Sequence, residues 1–178
     1  IPPGDYTIVF TKYNYNAVSQ DITLGPGETF VLDMPLEIKK GKIYGTVVDE
    51  YSAAKLSGVI VSLLDVSGLS AVTDQNGYFE INNVPVGSYT MKFELSNYTT
   101  GYRDINVKEG SNSIDIFELS PVLCTLNGET TPGATVTLRG TTYNTTANSG
   151  GTFQITGIIP NNYTVDITKT NYFSKAIR

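Results

Sequence analysis

The sequence predicts an all-β chain built from tandem small antiparallel β-sandwich modules of about seven strands each. First, apolar and polar residues alternate at period two: Tyr89, Met91, Phe93 and Leu95 share one face, Thr90, Lys92 and Glu94 the other. That is the pattern of a strand with one wet face, and no segment shows helical spacing. Second, one signature occurs three times: Ile1-Pro2-Pro3-Gly4-Asp5-Tyr6-Thr7, Val84-Pro85-Val86-Gly87-Ser88-Tyr89-Thr90 and, one residue shorter, Ile159-Pro160-Asn161-Asn162-Tyr163-Thr164. Each is followed by an Asn-Tyr pair: Asn14-Tyr15, Asn97-Tyr98 and Asn171-Tyr172. Third, the repeat spacing is 83 residues from Tyr6 to Tyr89 and 74 from Tyr89 to Tyr163, too long for a solenoid repeat and right for a small domain.

The middle repeat holds a full set of elements. Lys42 to Asp49 alternates as a first strand, and a polar stretch leads into a second at Gly58-Val59-Ile60-Val61-Ser62-Leu63. Thr73-Asp74-Gln75-Asn76-Gly77 reads as a hairpin turn, because Asn-Gly supplies positive-φ positions. Strands follow at Tyr78 to Ile81, Tyr89 to Leu95, Arg103 to Val107 and Ser113 to Leu119. With turns at regular intervals, this composition of short strands is that of a sandwich.

The flanking segments are incomplete copies. At a constant offset of 83, Ile22 meets Ile105, Leu24 meets Val107 and Leu36 meets Leu119. The expected modules are therefore 1–38, the C-terminal half of a repeat; 42–120, a complete repeat; and 121–178, a repeat lacking its last strand. In the last, Val122, Cys124 and Leu126 are aligned with Ile43, Gly45 and Val47, which places Cys124 as a buried small hydrophobe. The same alignment leaves only Ser120-Pro121 between the second and third modules, a stiffer junction than the charged Glu37 to Lys42 linker. The chain opens inside a repeat without a Met, so it is read as a segment of a longer protein.

Composition narrows function. There is no histidine, which removes the commonest general base, metal ligand and Ser-His or Cys-His pair. Charged residues are 16% of the chain, against ~25% typically, and the net charge is -5. No Lys/Arg cluster tracks phosphates, so nucleic acid is not an expected partner. No apolar run reaches the ~20 residues of a membrane span.

Gly45-Thr46-Val47, Gly58-Val59-Ile60-Val61, Thr73-Asp74 to Gly77 and Phe79, and Pro85-Val86-Gly87-Ser88-Tyr89 together resemble the carboxypeptidase regulatory-like family of transthyretin-like β-sandwiches. The family's Gly-Tyr is Asn-Tyr here, and the third repeat has Ala147-Asn148 for Thr-Asp. The resemblance implies a Greek-key, transthyretin-like or immunoglobulin-like sandwich with no catalytic residues, serving as an accessory or stalk domain of a secreted protein.

Other candidates follow from individual residues. Asp74-Gln75-Asn76-Gly77 lacks the oxygen ligands of a calcium loop and is read as a β-turn. Glu94, at the place of an isopeptide-forming acid in collagen-adhesin modules, sits on the outer parity and cannot hold a raised pKa. Tyr6, Tyr89 and Tyr163 recur at an inward position, as core or tyrosine-corner residues do. Asn97, Asn144 and Asn162 head Asn-x-Thr sequons and are the candidate glycosylation sites. No catalytic, cofactor or metal residue is expected. The expected function is a non-catalytic structural segment of an extracellular, cell-surface stalk, surface layer or filament. Its partners would be neighbouring repeats or copies of itself, joined where unfinished sandwiches accept strands. The alternatives are an arbitrary window on a longer array, and an adhesin or carbohydrate-binding module with surface glycans as partners.

Overall fold

Inward residues on alternating strands build the middle module around two facing sheets. The computed structural model describes residues 1–64 and 66–177; Arg178, the expected limit of the last module, lies outside them. Strands β3 (Lys40–Asp49), β6 (Tyr78–Pro85) and β9 (Gly110–Leu119) form one sheet in the order β6-β3-β9. Strands β4 (Ile60–Leu63), β5 (Ser70–Val72), β7 (Gly87–Glu94) and β8 (Gly101–Val107) form the other in the order β5-β4-β7-β8. All pairings are antiparallel except β3 with β9, which is parallel. Ile43, Val47, Phe79 and Ile81 from one sheet meet Val61, Met91, Phe93 and Val107 from the other, all at 2% exposure or less. Phe93 lies edge-on to Phe79 at 6.0 Å and stacks on Phe117 at 3.8 Å. Each such ring contributes roughly 2–3 kcal/mol by burial.

The Thr73 to Gly77 turn is not the hairpin its Asn-Gly pair suggested. It carries the chain from β5 in one sheet to β6 in the other. Asp74 Oδ1 accepts from the Asn76 and Tyr78 amides, and only Gly77 takes a positive φ, +69°. The side-chain cap and the glycine fix the turn without the two positive-φ residues a tight hairpin needs.

The N-terminal segment folds as a hairpin, β1 (Gly4–Phe10) with β2 (Val18–Leu24). It repeats β7 and β8 in register: Tyr6 opposes Ile22 as Tyr89 opposes Ile105, and Thr7 donates to Asp21 as Thr90 donates to Asp104. Residues 27–36, at the position of β9, form no ladder.

The last segment contains β10 (Cys124–Glu129), β11 (Thr135–Leu138), β12 (Asn144–Thr146), β13 (Thr152–Ile158), β14 (Val165–Thr168) and β15 (Lys175–Ile177). Its sheets are β10-β13 and β12-β11-β14-β15, with Val136, Leu138, Ile155 and Ile158 at its core. The chain divides into two compact units, Ile1–Leu95 with Thr100–Leu119, and Ser96–Thr99 with Ser120–Arg178.

Pairing corrects the alignment of this segment. Leu126 opposes Ile155 as Ile43 opposes Ile81, and Gly128 opposes Phe153 as Gly45 opposes Phe79. Thr130 N donates to Gly151 O as Val47 N donates to Gly77 O. Cys124 therefore matches Gly41, not Gly45, and it is exposed rather than buried. Val122 and Leu123 lie outside the strand, 52% and 44% exposed. Their apolar run mimicked the start of a strand. The two junctions have equal length, so the premise for a shorter, stiffer second one fails.

Candidate functional site: an open sheet edge and repeated linker clasps

Three Asn-Tyr loops share one backbone geometry, with Asn14, Asn97 and Asn171 in the left-handed region at φ 66°, 67° and 66°. Asparagine tolerates that region better than other side-chain-bearing residues. In the first loop Asn14 O accepts from Lys39 N at 2.8 Å, Asn16 N donates to Glu37 O at 2.9 Å, and Tyr15 bridges Ile38. In the second, Asn97 O accepts from Val122 N at 2.8 Å, Thr99 N donates to Ser120 O at 2.8 Å, and Tyr98 bridges Pro121. Each loop thus clasps the linker that leaves β9 or its counterpart. The third loop holds no such segment among the described residues, and Tyr172 and Phe173 are 61% and 104% exposed.

The second feature lies along β10. In the middle module β3 has β6 on one side and β9 on the other; among the described residues β10 pairs with β13. In the middle module Ile114 of β9 sits so closely on Gly45 that a Cβ there would overlap its Cγ1. The third module keeps glycine at that place, Gly128, and the ring of Phe153 lies across it. Phe153 is half-buried, whereas its counterpart Phe79 is 2% exposed. Beside this edge a concavity of about 270 Å³ is lined by Leu126, Leu138, Ile158, Tyr163 and Val165 among others. Leu126 and Val165 are half-buried there, whereas their counterparts Ile43 and Met91 are fully buried in the middle module. Tyr163 donates to Ile159 O at 2.7 Å, and burial, followed by the Tyr143 hydroxyl nearby, pushes its phenol above the ordinary range.

The sequence matches the carboxypeptidase regulatory-like domain over residues 42–120 and again over 122–178. The chain belongs to the carboxypeptidase regulatory-like domain family. Among curated proteins it is 26% identical over 107 residues to Bacillopeptidase F of Bacillus subtilis (strain 168), covering 59% of this chain and 7% of that protein. Among solved structures, the Bacillus anthracis TIE protein is 22% identical, with a TM-score of 0.56, and covers 99% of this chain and 39% of its own. A type II cohesin–X-dockerin complex from Acetivibrio cellulolyticus aligns over 43% of this chain and 52% of its own, at 29% identity and a TM-score of 0.39. The chain thus spans 7% of the curated relative it matches, and the TIE likeness is one of fold.

Within this carboxypeptidase regulatory-like chain, the tyrosine-corner reading holds at all three repeats. Tyr6, Tyr89 and Tyr163 donate to the carbonyls of Pro2, Pro85 and Ile159, each four residues back. Asp74 and its counterpart Asn148 are caps of the same turn, each accepting two backbone amides. Glu94 is on the outer face, 2.7 Å from Lys92 Nζ. Asn97, Asn144 and Asn162 are exposed but not gathered: Asn97 is in a clasp, Asn144 starts β12 with its Nδ2 donating to Thr142 O, and Asn162 lies in a loop. Sequence reading missed the glycine slot. Its signal was the 83-residue spacing of Gly45 and Gly128, hidden by a four-residue misalignment.

Proposed function

We propose that this chain is a non-catalytic structural repeat segment of an extracellular cell-surface protein, a stalk, surface layer or filament whose copies join by β-strand complementation. The repeat units are taken as 1–38, 42–120 and 121–178. The observation that carries the reading is the tandem repetition of one sandwich module, matched over residues 42–120 and again over 122–178. The clasped linkers support a load-transmitting role, since each ties the outgoing chain back to a folded loop. A histidine-free sequence with no nucleophile–base pair supports the absence of catalysis. Asn97, Asn144 and Asn162 would carry glycans in a host that modifies Asn-x-Thr.

A second reading, glycan binding, is favoured by one patch on the outer face of β3 and β6. Tyr44 and Tyr78 lie 6.4 Å apart beside Lys42, Glu80 and Asn82. Negative-stain microscopy of the purified chain combined with a glycan array tests both. Regular fibres or ordered arrays without glycan binding are expected. Saturable glycan binding by dispersed single particles would reject the structural reading.

A further inference from the structure

We infer that Arg103 keeps the middle module closed to strand addition: it seals the free edge of β9, and without it a second copy of the chain pairs there, β9 to β9. The seam it closes lies wholly within the middle module, so the closure is independent of any role in a stalk or filament.

Among the described residues four strands of the middle module end a sheet, β5 and β6 on one side and β8 and β9 on the other. The first two are poor material for pairing. β5 is three residues long, and β6 is bulged where it meets β3 between Gly41 and Ile43, with Asn83 at φ 59°. Short and bulged strands are ordinary ways of keeping a sheet edge from pairing. β8 and β9 are longer, at seven and ten residues. The second half of β9 carries Ile114, Ile116, Phe117 and Leu119, residues of high strand preference, and Ile116 is 55% exposed. This edge most needs a guard.

The guard comes from the opposite sheet. β8 and β9 follow one another in the chain but pair in different sheets, and side chains close the gap between them. At one end Asn112 pinches the connecting turn, accepting from Lys108 N and donating to Lys108 O, both at 2.9 Å. At the other end β8 comes so near that a Cβ on Gly101 would overlap the Phe117 ring. Between these points Arg103 Nη1 donates to Ile114 O at 2.9 Å and to Ile116 O at 3.3 Å. Two carbonyls that an incoming strand would need as acceptors are thus taken. The strand is bulged at the same place: Ser113 and Ile116 oppose Tyr44 and Thr46, and Asp115 takes φ 56° with its amide held by Ser113 Oγ.

The charge matters as much as the hydrogen bonds. Arg103 makes no ion pair among the described residues, so its full charge stays at the edge. A strand laid against β9 would enclose that charge without an acid to answer it, a costly burial. With the guanidinium gone, an isologous contact would set each β9 against its own copy and cover Ile116 on both.

Light scattering and hydrogen–deuterium exchange on the whole chain test this. Arg103 is exposed, so its replacement should leave the fold intact. Arg103→Met removes the charge and the donors while keeping the side chain's length. It should associate at least about ten-fold more tightly than the parent, since each copy then has two free carbonyls to offer, and the amides of residues 113–118 should slow as the mass rises. Its net charge is one unit more negative than the parent's -5. That opposes association, so a gain comes from the edge and not from reduced repulsion. Arg103→Glu loses the same hydrogen bonds but sets like charges against each other across the two-fold contact. It should fold as Arg103→Met does and associate no more than the parent. If Arg103→Met loses the parent's circular dichroism spectrum, Arg103→Gln takes its place with the same expected result. A neutral variant no more associated than the parent, association without slowed exchange in 113–118, equal association of the neutral and Glu variants, or loss of the fold in all three would each overturn the assignment.

Discussion

Thr73 offers a sharp test of how the middle module is held together, because the third module dispenses with it. Thr73 is 4% exposed, and its hydroxyl accepts from Val59 N at 2.9 Å while donating to Leu56 O at 2.6 Å. In Thr73→Val the shape and strand preference are nearly kept, but the amide of fully buried Val59 loses its partner. An unsatisfied buried donor costs about 1–3 kcal/mol, and the half-buried Leu56 carbonyl can turn to water. For a module of this size about 2 kcal/mol lowers the melting midpoint by roughly 8–16 °C. The third module shows the alternative: Ala147 replaces the threonine, and Ala134, the counterpart of Val59, donates instead to Thr131 O at 3.0 Å. Its shorter connection between the first two strands brings that carbonyl within reach. Calorimetry of the whole chain should show one transition falling by that amount, and amide exchange should show Val59 losing protection. Thr73→Ser keeps the hydroxyl and should retain most of the midpoint. Equal losses in the Val and Ser variants would refute the hydrogen-bond account and leave packing as the cause.

Other outcomes follow from the packing and hydrogen bonds of the modules. Tyr89→Phe and Tyr163→Phe each remove one corner hydrogen bond and should cost about 1 kcal/mol in urea denaturation, whichever repeat is altered. Gly77→Ala and Gly151→Ala place a Cβ against the Val47 and Thr130 carbonyls at φ +69° and +83°, so each should cost more than about 2 kcal/mol. Gly27→Ala, with nothing within 4 Å, should cost only the roughly 1 kcal/mol of the left-handed backbone. Hydrogen bonds from Lys42, then Asn82 and Tyr78, hold the Glu80 carboxyl down from 4.5 to about 2. The unfolded chain takes up this proton first, so the stabilisation is complete above pH 4.5 and is lost as the pH falls toward 2. An NMR titration of Glu80 with a midpoint near 2 is expected, and Glu80→Gln should flatten that part of the stability–pH curve.

The fold was legible because strand alternation and the recurring Pro-turn-Tyr motif are both local. Tyr89, Met91 and Phe93 announce a strand with one buried face from side-chain period alone. What failed was local as well. Val122, Leu123 and Leu126 look like the start of a strand, but a strand begins where a partner offers its hydrogen bonds. Ile158 offers them to Cys124 and not earlier. The Thr73 to Gly77 turn misled for the same reason, since a turn sequence encodes backbone angles and not which sheet its arms will join.

What stands opposite a glycine is not legible from its neighbours in the chain. Gly45 and Gly128 are equivalent residues with opposite coverings, a β9 side chain in one and the module's own phenylalanine in the other. Ile114 Cγ1 lies where a Cβ on Gly45 would go, and the Phe153 ring lies where one on Gly128 would go. Both positions therefore demand glycine for packing and not for backbone freedom, since neither has a positive φ. Gly45→Ala must displace the buried Ile114, whereas Gly128→Ala need move only the half-buried ring of Phe153. Gly45→Ala should therefore lower the melting midpoint more than Gly128→Ala, and equal losses would refute the packing account.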